Sequence, residues 1–190
     1  MAFWEPRSAA LTVRRILKVN HAGEFGAIRI YDAQLALARQ LYPDIVPALT
    51  EMRDDEIEHC RLFLEAMPAR GARPSRVMAF WSLGGYVLGF VTALMGRNMI
   101  WVCTEAVEAT VHRHLEDQIA FLRGRDRPLH HQIGSIQAQE LAHLQHAVDH
   151  QPRRGLVRAV TLPLIGLATE SLIWLSTWGD STSMRSEIAS

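Results

Sequence analysis

Cysteine is scarce in this chain. Only Cys60 and Cys103 occur among 190 residues. No Cys-x-x-Cys exists, which excludes a thiolate zinc site, a rubredoxin-type iron site and a disulfide framework. Such usage is compatible with a reducing compartment. Excess charge is also missing: 20 basic residues balance 20 acidic ones. No bulk attraction to nucleic acid or to an acidic surface is expected, so no nucleic-acid partner is assigned. Lysine is almost absent, with Lys18 alone among the arginines, a compositional bias without functional content. No alternating strand pattern bounded by turns is found. There is neither a flavin nor a dinucleotide motif, so electrons for any redox chemistry must come from an external reductant or from the substrate itself. Met1 to Ala10 is too short and too mixed for a signal peptide.

What remains reads as helix throughout, in a chain long enough for one domain with a sizeable core. The spacing predicts helix 1 from the cap Ser8 to about Gln40, with Leu17, Glu24, Tyr31 and Leu35 along one stripe. Helix 2 runs from Pro43 to about Met67. A linker follows from Pro68 to Pro74, with Gly71 inside it. Helix 3 covers about Ser75–Met95 and helix 4 about Arg97–Leu122. Gly124 and Pro128 mark a turn. Helix 5 spans about Leu129–His150. Pro152 and Gly155 break the chain before helix 6, about Leu156–Trp178, and the end of the chain beyond it is expected to fray.

Two Glu-x-x-His tetrads stand out on this framework. The first is Glu56 to His59, preceded by Glu24; the second is Glu140 to His143, preceded by Glu108. The interval from Glu24 to Glu56 equals that from Glu108 to Glu140, so the whole first set recurs at one constant offset. Positions i and i+3 share a helix face, so each tetrad can grip one metal ion. A Glu from each of two helices plus Glu-x-x-His from two others is the ligand set of ferritin-like di-iron carboxylate proteins. Four carboxylates and two imidazoles suit a pair of iron ions that change oxidation state and keep positions open for oxygen. The hairpins agree with this. Glu24 precedes the turn at Leu41 by only four residues more than separate Pro43 from Glu56, and Glu108 and Glu140 stand likewise about Gly124 and Pro128. At ~1.5 Å rise per residue each pair is level to within about one turn. Gly23, Gly26 and Ala27 around Glu24 permit close helix approach or leave room for substrate, against a cost of roughly 1 kcal/mol per glycine relative to alanine.

A lone Glu-x-x-His on a helix is more often a solvated surface pair; the matched offset is what lifts these two. His112, His114, His130, His131, His146 and His150 have no counterpart in the other half and stay ordinary. His21, one turn before Glu24, can reach it as a supporting hydrogen bond or be a plain surface histidine. Glu51, Glu58 and Glu105 are expected outside the metal set. Glu105 is the rival of Glu108, but only Glu108 keeps the offset from Glu24.

Val77 to Gly96 carries no charged residue and reaches the length of a membrane span. A single crossing there would put the two halves of the metal set on opposite sides of a bilayer. Helix 3 is therefore expected to be the long crossover of the bundle, ~30 Å in length, lying on a membrane surface with Leu88 and Phe90 against it. Arg158 and Glu170 interrupt helix 6, and the uncharged stretch between them is too short to span, so it is expected beside helix 3. A dimer interface is the competing explanation for these apolar faces. The layout is one domain over 1–190, with a core bundle at about 8–150 and membrane-contact helices at about 75–95 and 156–178.

The segments Val19 to Ala27 (Val-Asn-His-Ala-Gly-Glu-Phe-Gly-Ala), Glu56 to His59, Cys103 to Glu108, and Glu140 to His143 followed by Asp149-His150 resemble the demethoxyubiquinone hydroxylases. The resemblance runs over roughly Leu11 to Trp178, and its His-Ala-Gly-Glu-aromatic-Gly-Ala segment is the distinctive part. It implies six iron ligands, Glu24, Glu56, His59, Glu108, Glu140 and His143, holding two iron ions per chain. It also implies dioxygen as co-substrate and hydroxylation of a polyprenylated methoxy-benzoquinol in ubiquinone biosynthesis. Expected partners are that substrate, a membrane surface, and further copies of the chain or other ubiquinone-synthesis proteins. The expected place is the inner cell or mitochondrial membrane, on its cytoplasmic or matrix side. The short stretch before helix 1 suits a bacterial or a processed form. Two rivals remain. A ferroxidase would use similar ligands, and a non-enzymatic membrane-surface bundle would explain the apolar helices but not the repeated offset.

Overall fold

The computed structural model describes residues 9–151, 155–179, 181–182 and 184. Ser8, Pro152 and most of the tail expected to fray lie outside them. The described residues form six α-helices and no strand: α1 Ala9–Leu41, α2 Val46–Ala66, α3 Met78–Leu94, α4 Arg97–Leu122, α5 Arg127–Asp149 and α6 Leu156–Thr177. The all-α expectation is met, and the arrangement is consistent with a ferritin-like bundle. Short 3-10 turns at Pro43–Ile45 and Pro68–Arg70 introduce α2 and follow it. Boundaries move where capping chemistry decides. Helix 5 begins at Arg127, ahead of the expected start at Leu129, because Asp126 accepts the Leu129 backbone N–H at 3.1 Å. Pro128 therefore sits in the first helical turn, where a missing N–H is harmless. Gly124, in the left-handed region at φ 75°, ends the preceding helix.

Helices α1 and α2 form one hairpin and α4 and α5 the other. The apolar side chains between them repeat in heptads, and the glutamates fall in the same stripes. Leu17, Glu24 and Tyr31 follow one another on α1, Leu49, Glu56 and Phe63 on α2, Trp101, Glu108 and Leu115 on α4, and Ile133, Glu140 and Ala147 on α5; all of them are buried. A heptad is close to two helical turns, so each stripe holds one face over this length. One apolar cluster, with Leu17, Phe63, Leu115, Phe121 and Ile133, fills one end of the bundle. A second, with Tyr31, Leu49, Trp101 and Ala147, fills the other. The glutamates form a polar layer between them.

The remaining helices extend the repeat. Helix α3 packs along α1 and α6 along α4, and Pro152 and Gly155 follow Pro68 and Gly71 at the same offset that relates the two metal sets. The two packings differ in closeness. A Cβ on Gly85 would meet the Gly26 carbonyl and one on Gly89 the Ile30 carbonyl, so α3 lies backbone-to-backbone on α1. Its small residues face inward. Phe80, Leu83, Val87, Phe90 and Leu94 face outward and are exposed. At 17 residues α3 is shorter than the uncharged run around it. Helix α6, which its two charges had marked as too short, is by length and an 18-residue window of mean hydropathy 1.5 the described helix able to cross a membrane. Both charges turn into the bundle: Arg158 binds Glu105 and Glu170 binds His114.

The α1–α3 contact is expected to be intolerant of added volume. Gly89→Ala should destabilise the fold by ~1–3 kcal/mol, as overpacking does. Gly134→Ala on α5, where a Cβ meets nothing within 4 Å, should add ~0.5–1 kcal/mol of stability. Denaturant melts of the two variants check the contrast.

Candidate metal centre

All six residues singled out by spacing converge in the polar layer. Glu24 comes from α1, Glu56 and His59 from α2, Glu108 from α4, and Glu140 and His143 from α5. Each is no more than 5% exposed. Their ligating atoms fall into two groups, each within 4.8 Å: Glu24, Glu56, His59 and Glu140, and then Glu56, Glu108, Glu140 and His143. Glu56 and Glu140 belong to both. Each group could hold a metal ion, with Glu56 and Glu140 shared, Glu24 in one group only and Glu108 in the other.

The atoms are not paired with one another as a folded protein pairs buried polar groups. Both carboxylate oxygens of Glu56, both of Glu140, and Nδ1 of His59 and of His143 are buried without a hydrogen bond. His59 Nδ1 lies 3.0 Å from Glu140 and 3.6 Å from Glu56. His143 Nδ1 lies 3.5 Å from Glu56 and 3.6 Å from Glu140. Oxygen and nitrogen donors aimed at a common space, with no partner, fit a metal pair.

Outside this set the side chains are tied. Asp55 Oδ2 accepts from His143 Nε2 at 3.0 Å, and Gln139 Oε1 from His59 Nε2 at 3.0 Å. These bonds turn each Nδ1 toward the cluster, as second partners of metal-bound histidines do. The Tyr31 hydroxyl donates to Glu108 at 3.3 Å. Sequence reasoning missed all three. Asp55 and Gln139 carry a usable signal, since each immediately precedes a tetrad and they share its offset. Tyr31 had been read only as part of the core stripe.

Glu105 is elsewhere. Its carboxylate binds Arg158 at 2.6 and 2.7 Å and Gln151 at 2.6 Å. His114 pairs with Glu170 at 2.8 Å. Glu51 and Glu58 are exposed. His21 is buried, and burial lowers its pKa; among the described residues its Nδ1 forms no hydrogen bond.

The electrostatics are those of a site short of positive charge. Burial, then the charges of Glu56 and Glu140, hold the Glu24 carboxyl well above the usual range. Burial, then Glu140 and Glu56, do the same to Glu108. Burial works against charged imidazoles, yet the facing carboxylates of Glu140 and Glu56 outweigh it and push His59 up to about 10 and His143 up to about 11. Burial also opposes ionisation of Glu140, but the facing imidazoles of His143 and His59 prevail and hold it below the usual range. Glu24, Glu108, His59 and His143 all lean toward their protonated forms in this setting.

A cavity of about 250 Å³ adjoins this layer between α1, α3, α4 and α6. Glu24, Glu56 and Glu108 form its polar end. Gly23, Ala27, Leu88 and Val111 line its middle, and Phe80 and Leu172, both exposed, form its rim. Leu88 thus faces the cavity instead of the outer surface.

Residues 11–176 match the family described as ubiquinone biosynthesis protein COQ7. The chain belongs to this family. A relative from Dictyostelium discoideum named NADPH-dependent 3-demethoxyubiquinone 3-hydroxylase, mitochondrial, is 34% identical over 168 residues, 87% of this chain and 76% of its own. A Homo sapiens relative of the same name is 33% identical over 168 residues, 86% and 76% of the two chains. A Rhodospirillum rubrum relative named 3-demethoxyubiquinol 3-hydroxylase is 33% identical over 172 residues, 90% and 80%. The family resemblance read from the residues is therefore shown, and these members of the family are named as hydroxylases.

Two outcomes are expected. Glu108→Gln should lower metal occupancy, while Glu105→Gln should leave it intact, by elemental analysis; the reverse would exchange their roles. Metal binding should also release protons from His59, His143, Glu24 and Glu108. Because both histidine pKa values are raised, to about 10 and about 11, affinity should rise with pH from neutrality toward that range. Titration calorimetry in buffers of different ionisation enthalpy reads the protons released, and a value of zero contradicts the assignment.

Proposed function

We propose that this protein is a di-iron, dioxygen-dependent monooxygenase that hydroxylates the ring of a polyprenylated demethoxyubiquinol; its relatives' names support the hydroxylase and demethoxyubiquinol parts of this reading. The observation that carries the reading is the junction of the unpaired Glu/His layer with an apolar cavity that ends between outward-facing apolar helices. A ferroxidase needs the first feature and has no use for the second. When bound, two iron ions would supply the reduction of dioxygen and the transfer of one of its oxygen atoms to the ring.

The chain's own residues have separate tasks. Glu56 and Glu140 would lie between the metals. Glu24 with His59, and Glu108 with His143, would complete the two positions. Asp55, Gln139 and Tyr31 would hold three of those ligands in orientation. Gly23 and Ala27 leave room beside Glu24 for a flat ring, and Leu88, Val107 and Val111 keep water from it. A cavity of about 250 Å³ is just below the common range of ligand pockets, about 300–1,000 Å³. It suits a head group, with the prenyl tail leaving past Phe80 and Leu172. Reducing equivalents come from outside the chain; two of the relatives above are named as NADPH-dependent.

We place the protein peripherally on a quinone-bearing inner membrane, cell or mitochondrial, on its cytoplasmic or matrix side, with α3 and α6 against the bilayer. The two halves of one metal layer must share a side, so α3 does not cross. Exposed Phe80, Leu83, Val87, Phe90, Leu167, Trp174 and Leu175 supply the apolar contact, at about 25 cal/mol per Å² buried.

The direct test is product analysis with the iron-loaded protein, a demethoxyubiquinol analogue, a reductant and dioxygen. A hydroxylated ring is expected, and iron oxidation without product would support a ferroxidase instead. The membrane reading has its own test. Leu83→Glu, at a side chain 65% exposed, should release the protein from liposomes and slow turnover of long-tailed substrate several-fold with iron content unchanged. Unaltered liposome binding with a lost dimer would make this face an interface between copies.

A further inference from the structure

Asp55 and Gln139 hold the same place in the two halves, yet they differ by a full charge. Each reaches across the bundle to the histidine of the other half: Asp55 to His143 and Gln139 to His59, both at 3.0 Å. With Nδ1 turned to the cluster, Nε2 carries the proton and donates it, which also sets the Gln139 amide with its oxygen toward the ring. His143 therefore donates to an anion and His59 to a neutral amide. A carboxylate acceptor makes the imidazole a more electron-rich ligand, and loss of such a partner typically costs about 10–100-fold in metal affinity.

Other differences between the halves do not cancel this one. Tyr31 donates to Glu108, on the His143 side, and draws electron density from that carboxylate. Its bond is long, at 3.3 Å, and comes from a neutral donor. The Asp55 bond is shorter and charge-assisted, a class roughly twice as strong. The Asp55 side chain is 34% exposed, so water screens its field at a distance but leaves the hydrogen bond in place. Gln139 is exposed as well, so solvation does not restore the balance.

We propose that Asp55 and Gln139 are positioning residues that make the two metal positions unequal: the one served by His143 and Glu108 binds a divalent metal more tightly and fills first. This rests on the di-iron reading above. Filling in order leaves the position served by His59 and Glu24 as the last to be occupied and the first to be lost.

The test is anaerobic titration of the metal-free full-length chain with cobalt(II), followed by its visible absorption. The wild type should bind two equivalents in steps separated ~10–100-fold in affinity. His143→Ala should remove the tight step and His59→Ala the weak one. Asp55→Asn should merge the steps by weakening the first, and Gln139→Glu should merge them by strengthening the second. A purely structural loss would weaken both variants alike and would not move them in opposite directions. Two equal steps in the wild type, or a separation untouched by both substitutions, overturns the inequality and leaves the metal pair standing. A wild type that never takes up a second equivalent overturns both readings.

Discussion

Four carboxylates cannot be buried side by side without cations among them. The rest of this molecule is arranged around that constraint. Two apolar clusters, one with Leu17 and Phe63 and the other with Tyr31 and Trp101, keep water from the layer on both sides. Without those clusters the glutamates would be solvated and separate. Without the glutamates the heptad stripes would make an ordinary helical bundle. The raised carboxyls of Glu24 and Glu108 and the raised histidines are what crowded buried carboxylates produce, a layer that favours added positive charge.

Repetition builds the layer, and departures from repetition give it a direction. Three helices, used twice, provide two similar halves. In one half, Gly85 and Gly89 draw α3 onto α1 until backbones touch. In the other, Thr110 stands where Gly26 stands in the first half, and Gly166 has more space against it. The cavity lies where α3 and α6 flank the polar layer, and Glu24 and Glu108 both border it. In the proposed reading, the metal positions are alike in ligand type and differ in the partners of their histidines, Asp55 and Gln139.

How much of this the sequence disclosed depends on the physics behind each residue. The convergence of Glu24, Glu56, His59, Glu108, Glu140 and His143 was legible because a metal site would demand particular residue types at helical spacing. Helix limits near Pro43, Gly124 and Gly155 were legible because proline and glycine end helices for local reasons. The inward face of α3 was not, since both faces are apolar and only size distinguishes Gly89 from Phe90. Leu88 was read as an outer residue for the same reason. Asp55 and Gln139 resemble surface residues in composition, and both remain partly exposed even while binding histidines. Tyr31 looked like core because it is core; its hydroxyl acts at the layer's edge.

The central claim is that the buried layer holds a pair of iron ions close enough to interact. Mössbauer and electron paramagnetic resonance spectra of the iron-57-loaded, oxidised protein test it most directly. The account predicts two iron ions per chain, coupled antiferromagnetically, giving quadrupole doublets without a paramagnetic signal. A single uncoupled ferric ion per chain, with the signal of an isolated high-spin site, would contradict it.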